Sequence, residues 1–171
     1  MIERCLCAFL FCLAVVNPSA ANTPGEVPIG AKLRDATLQG LNGPTRHLNS
    51  FRGRPLLINV WASWCGPCKQ EMASLERLAW QAQYFAIIGI STDDYADKAK
   101  SLLKGTNATI NHFIDHDLEM ENMLGASRLP LTVLVDADGR VLQKIYGARE
   151  WDGADALRLI DETFHRRSGP R

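Results

Sequence analysis

Two cysteines, Cys65 and Cys68, carry the reactive chemistry of this 171-residue chain. They stand in Trp61-Ala62-Ser63-Trp64-Cys65-Gly66-Pro67-Cys68-Lys69-Gln70-Glu71, directly after the apolar run Leu56-Leu57-Ile58-Asn59-Val60-Trp61. A thiolate, not a thiol, is the nucleophile in disulfide exchange. Downstream of the pair, Met72, Leu75, Leu78, Ala79 and Ala82 recur at helical spacing, which predicts a helix over 67–83. Pro67 fits its first turn, where a missing N–H costs nothing. A helix N-terminus has unpaired N–H groups, and its dipole favours negative charge. The order strand, tight turn, Cys-X-X-Cys, helix therefore stabilises a negative sulfur at Cys65.

The rest of the chain must hold that turn in place. Lysine plus arginine equal aspartate plus glutamate, so composition gives no case for nucleic acid or an anionic membrane surface. Arg4, the apolar run from Cys5 to Val16 and the small residues of Asn17-Pro18-Ser19-Ala20-Ala21 read as a secretory signal over 1–21, cleaved after Ala21 or the neighbouring Ala20. The competing reading is an uncleaved segment tethering the chain to the inner membrane, although a spanning helix wants about twenty apolar residues. Removing the signal takes Cys5, Cys7 and Cys12 with it and leaves Cys65 and Cys68 as the thiols of the mature chain. Structural staples in a secreted domain are usually more numerous and widely spaced. Two cysteines one turn apart read instead as a redox pair, because bridging them restrains little chain.

Residues 22–32 are rich in Pro and Gly and read as a linker or an extended N-terminal arm, 33–166 as the folded domain, and 167–171 as a flexible tail. Short strands over 33–38 and 45–48 flank the turn residues 40–44 as a β-hairpin, and a helical turn follows over 49–53. Unbroken apolar runs predict buried strands over 55–62, 84–90 and 131–135. Ser91-Thr92-Asp93-Asp94 supplies cap residues for a helix over 95–104, ended by Gly105. A strand over 111–114, a helix over 118–124, a strand over 141–146 after the Asp138-Gly139 turn, and an amphipathic helix over 151–166 complete the chain. This is one α/β domain, a central mixed sheet with helices on both faces.

The stretch 59–71 closely resembles the active site of thioredoxin-fold proteins. With Phe51-Arg52-Gly53-Arg54-Pro55, the long central insertion between Ser91 and Ser127, and Leu129-Pro130-Leu131-Thr132-Val133-Leu134-Val135-Asp136-Ala137-Asp138-Gly139, it resembles the TlpA/ResA/DsbE-like branch of extracytoplasmic thiol:disulfide oxidoreductases. The resemblance covers roughly 29–164. It implies Cys65 as nucleophile and Cys68 as the resolving thiol, with no cofactor beyond that redox-active disulfide. Gly66, Pro67 and Trp64 tune the potential, and the Gly-Pro pair implies a reductant. Pro130 matches the family's cis-proline, and Leu129, Pro130 and Trp64 are the implied substrate contacts. Where thioredoxins carry a buried aspartate this chain has Asn59, which cannot shuttle a proton. Glu71 matches the glutamate of the ResA-like pattern and is the candidate acid/base for Cys68, against the plainer reading of a solvated helix glutamate.

The implied partners are protein disulfide or dithiol substrates and a membrane electron donor of the DsbD/CcdA type, in the periplasm, with cytochrome c maturation as the pathway and a monomer as the state. The alternative is a redox-dependent binding or copper-delivery module of the Sco kind, using His112 and His116. Those proteins carry Cys-X3-Cys rather than Cys-X2-Cys, and histidines four apart share a face only on a helix. No metal is expected on these grounds.

Overall fold

The apolar run before the cysteines becomes the middle of the sheet. All six residues of β3 (Leu56–Trp61) are buried, as in a strand covered on both faces. The computed structural model describes residues 23–165. The expected signal over 1–21 and tail over 167–171 lie outside the described residues.

The other elements are β1 (Thr37–Gly40), β2 (Arg46–His47), a 3-10 turn (Leu48–Phe51), α1 (Gly66–Gln81), β4 (Ala86–Ser91), α2 (Ala96–Thr106), β5 (Asn111–Ile114), α3 (Glu119–Leu124), β6 (Leu131–Val135), β7 (Val141–Tyr146) and α4 (Ala154–His165). The strand order is β2-β1-β5-β4-β3-β6-β7. β3, β4 and β5 run parallel, joined by crossovers that contain α1 and α2, while β1, β6 and β7 add antiparallel. Cys65 therefore emerges at the C-terminal end of a central parallel strand, where α/β sheets place their sites.

Alternation along β3 divides the core. Leu57 packs with Leu75 and Leu78 of α1 and Ile160 and Phe164 of α4. Trp61, on the same face, packs with Ala99 and Leu103 of α2. Ile58 and Val60 face the other way, against Met120 and Met123 of α3. The mixed sheet has helices on both faces, as its pattern of apolar runs predicts.

Residues 23–33 are an arm bound to the domain. Val27 is buried and donates its N–H to Met123 O (2.8 Å). Gly30 N–H donates to Val141 O (2.8 Å), and Val141 N–H to Ala31 O (2.9 Å), so the arm lines the outer side of β7 at its start. Glu26 forms an ion pair with Lys144 in a largely buried setting. Gly125, at φ +75°, makes room for it: a Cβ there would lie 2.3 Å from Glu26 Cδ.

Several boundaries differ from expectation, and four of the differences have a visible local cause. β1 begins at Thr37 because Leu33 is already committed to Gly139 O (2.8 Å). Gly105 does not end α2, which runs to Thr106 and stops at Asn107 in the left-handed region (φ 51°), a conformation asparagine tolerates. Ser91 and Asp93 do not cap α2, whose N-cap is Tyr95 without a side-chain bond. α4 begins at Ala154, not Trp151: Gly153 N–H closes a turn on Glu150 O (3.1 Å), which frees Trp151 to point elsewhere.

Candidate active site

The two cysteines are joined as a disulfide, with Cα atoms 5.3 Å apart. Cys65 is the N-cap of α1, in extended conformation, and its Sγ accepts the N–H of Cys68 at 3.2 Å. The sulfur thus receives one of the unpaired donors of the helix start. Cys65 keeps 5 % exposure and Cys68 none. Gly66, Pro67 and Lys69 are exposed around them. Trp64 is 70 % exposed and stands largely in solvent.

The turn that carries Cys65 is tied to the end of β4. Asp93, 3 % exposed, accepts from Ser63 N–H (2.8 Å), Ser63 Oγ (2.7 Å) and Ser91 Oγ (2.8 Å). Cap-type residues after a strand were the right chemistry read at the wrong target. They satisfy the loop before α1, not the start of α2.

Beneath the pair, Trp61 is fully buried in one cluster with both cysteines. Its indole N–H donates to His112 Nδ1 at 3.1 Å, with the rings edge-on and 5.4 Å apart. An acceptor at Nδ1 leaves the ring proton on Nε2, so His112 is neutral. Burial pushes its pKa down to about 4 from 6.5. Gly89 lies between Asn59 and His112 in the sheet register, and a Cβ there would sit 2.0 Å from His112 Nδ1. The strand needs glycine at this position so that the imidazole can cross over it. His116 goes elsewhere: its side chain is 67 % exposed and pairs with Asp117. The structure does not bring the two histidines together, and among the described residues no group of three or more His, Cys, Asp or Glu is placed to hold a metal.

Glu71 lies one turn beyond Cys68 on the inner face of α1 and is 2 % exposed, so it is not a solvated helix glutamate. Its Oε1 accepts from Asn59 Nδ2 (2.8 Å), which also reaches Thr132 Oγ1 (3.1 Å). Its Oε2 accepts from Trp151 Nε1 (2.9 Å) and Arg149 N–H (3.1 Å). Burial pushes the carboxyl pKa up, and the donors from Trp151, Asn59 and Arg149 pull against it. Ser74, one turn further, grips the same segment: its Oγ lies 2.7 Å from Glu71 O and 3.2 Å from Arg149 O, and accepts Trp151 N–H at 3.0 Å. Nothing in the sequence links Trp151 to Glu71. The spacing Glu71, Ser74, Arg77 puts the three on one stripe of α1, and Arg77 binds Glu150 and Asp152 of that same segment.

The Leu129–Pro130 peptide is cis. Leu129 is half-buried and packs against the cluster that contains both cysteines. Its backbone N–H and C=O make no hydrogen bond among the described residues, whereas Pro130 O accepts from Gly147 N–H (2.9 Å). Cys65, Cys68 and Leu129 with Pro130 are therefore brought together, with Glu71 buried behind them.

The Redoxin family model matches residues 28–160. The chain is similar to the thiol:disulfide interchange protein DsbE of Vibrio cholerae, at 32 % identity over 88 % of this chain and 86 % of the relative. It is also similar to the thiol-disulfide oxidoreductase ResA of Geobacillus thermodenitrificans, at 28 % identity over 71 % of each chain. In fold it matches the crystal structure of a Chlorobium tepidum protein assigned as DsbE, with TM-score 0.73 and 24 % identity over 80 % of this chain and 98 % of the other. The Redoxin match over most of the chain and the DsbE and ResA relatives, with the cysteine pair at a strand-to-helix turn, place the chain in the Redoxin family, among the thioredoxin-fold thiol:disulfide oxidoreductases of the TlpA/ResA/DsbE kind.

Proposed function

We propose that this oxidoreductase acts in the periplasm as a reductant of protein disulfides, in the service of cytochrome c maturation. The asymmetry of the pair carries the exchange chemistry, and Gly66-Pro67 between the sulfurs supports the reducing direction. Cys65 has surface to offer and a helix N-terminus to stabilise its charge, while Cys68 is sealed one helical turn before a buried carboxylate. Apocytochrome cysteines must be dithiols before haem attaches, so a reductant is what that pathway requires. The reading of 1–21 as an export signal supports the location. Among the described residues no helix is long and apolar enough to cross a membrane.

In the reduced protein, the Cys65 thiolate attacks one sulfur of a substrate disulfide. A mixed disulfide forms, and the other substrate sulfur leaves as a thiolate. The exposed backbone groups of Leu129 pair with the extended substrate chain, and Trp64 and Pro130 flank it. Glu71 takes the proton of Cys68. Cys68 then attacks Cys65 Sγ, expelling the second substrate sulfur. Two electrons pass to the substrate, and the chain is left as the Cys65–Cys68 disulfide. A membrane donor of the DsbD/CcdA type returns the two electrons, and the proton held by Glu71 goes back to Cys68.

Equilibration of the Cys65–Cys68 couple with glutathione and dithiothreitol buffers tests the direction. A potential near the about −120 mV of the oxidant DsbA overturns the reductant reading. Insulin reduction tests turnover: a wild type no faster than Cys68→Ser leaves a redox-dependent binding module in its place. A phosphatase fusion to the first residues, assayed in fractionated cells, tests the location.

A further inference from the structure

We propose that Trp151 is a positioning residue for Glu71: its indole N–H and the N–H of Arg149, delivered by one segment, fix the carboxylate behind Cys68 and hold it ready to ionise. This rests on Glu71 as the acid/base of the exchange reaction.

The geometry is that of a clamp. Glu71 and Ser74, one turn apart on α1, take four groups of the 149–151 segment: Arg149 N–H and Trp151 Nε1–H on the carboxylate, Arg149 O and Trp151 N–H on the hydroxyl. Trp151 is fully buried, so its indole N–H has no competing water. A carboxylate enclosed this way would be kept neutral by burial if it lacked donors. Oε2 has two of its three donors, both from the segment, and Asn59 of β3 serves Oε1.

The titratable surroundings are few. On α1, the Cys65–Cys68 pair and the exposed Lys69 precede Glu71, and Glu76, bound by Thr109 and Ile110, and Arg77 follow. β3 and β6 present Asn59 and Thr132, which do not titrate. On the segment itself, Arg149 lends only its backbone, and Glu150 and Asp152 are bound by Arg77 on the outer side. The proton affinity of Glu71 is therefore set by burial and by donors, and Trp151 is the donor of the 149–151 segment that a side-chain change can remove. Without it, Glu71 holds its proton more tightly and accepts the Cys68 proton only at higher pH.

The test follows the Glu71 carboxyl by 13C NMR and the Trp151 indole by 1H–15N NMR across pH, alongside the pH–rate profile of insulin reduction. In the wild type, the indole N–H should titrate with the same midpoint as Glu71, and Glu71→Gln should abolish that titration. Trp151→Phe should raise the Glu71 midpoint by about one pH unit, because one hydrogen bond to an ionised group is worth roughly tenfold in the equilibrium. The acidic limb of the rate profile should move with it. A Glu71 midpoint unchanged in Trp151→Phe, or an indole that ignores Glu71 in the wild type, overturns the inference. Should Trp151→Phe fail to fold, the indole titration in wild type against Glu71→Gln decides alone. If Glu71 shifts as expected while wild type and Glu71→Gln share one rate profile, the positioning stands and the acid/base role of Glu71 falls.

Discussion

Replacing His112 with asparagine should remove an acid sensitivity built into the core. The wild-type ring is buried, neutral and committed at Nδ1 to Trp61. It protonates near 4 in the folded protein, against an ordinary value of 6.5. Above pH 6.5 both states carry a neutral ring, and the histidine adds no pH dependence. As pH falls below 6.5, the unfolded chain takes up a proton that the folded chain refuses, and stability drains until the folded ring also protonates near 4. The gap of about 2.5 units, at 1.36 kcal/mol each, amounts to about 3 kcal/mol, of which about 2 kcal/mol is lost by pH 5. Asparagine keeps an acceptor near the Nδ1 position but does not titrate, so His112→Asn pays a constant packing cost of about 1–3 kcal/mol with no slope of its own. Glu71, Asp115 and Glu121, all raised by burial, bend the curve the other way but are common to both proteins and cancel in the difference. Urea unfolding of the oxidised proteins at pH 7.5, 6, 5 and 4.5, with unchanged m-values, gives that difference. The two stability curves should converge by about 2 kcal/mol between pH 7.5 and 5. Parallel curves refute a buried neutral His112.

Three further expectations concern the same region. Cys68→Ser should accumulate a mixed disulfide on Cys65, visible as a mass adduct lost on reduction; a variant that stays unmodified beside a disulfide substrate contradicts Cys65 as the attacking sulfur. Gly89→Ala should cost about 1–3 kcal/mol by driving its methyl into His112, and much of that cost should vanish in a His112→Ala background; additive losses show that the clash lies elsewhere. Asp93→Ala removes the acceptor of three hydrogen bonds and should cost about 2 kcal/mol, with faster amide exchange at Ser63; unchanged exchange there dissociates Asp93 from the cysteine turn.

The strand, the cysteine turn and α1 were legible because local signals agree there: an unbroken apolar run, proline in a first helical turn, and helical spacing after it. The cis bond before Pro130 was legible only through resemblance. What escaped were contacts made across the sheet or between distant segments. His112 was weighed as a ligand with His116, but strand alternation turns it inward onto Trp61, and no property of either residue alone announces that pairing. In the sequence, the amphipathic spacing puts Trp151 in the first turn of α4. It is a connector residue whose N–H is needed 80 positions upstream, at Glu71. Gly105 shows the weakness of single-residue punctuation: glycine is tolerated inside a helix whose end is fixed by Asn107 two residues later.

The arm along β7 bears on how such a protein can handle its clients. A sheet edge with free N–H and C=O groups is a template for any extended chain. Here one margin is the two-residue, exposed β2, too short to recruit a strand. At the opposite margin, Gly30 and Ala31 occupy Val141 at the start of β7, and the arm is anchored further along by the Glu26–Lys144 pair. One rim is thus too short to template a strand and the other is occupied at Val141, while the backbone of Leu129, beside the sulfur cluster, makes no hydrogen bond among the described residues. On the proposed reading, a protein that exchanges disulfides with extended chains gains from rims that give such chains little to pair with.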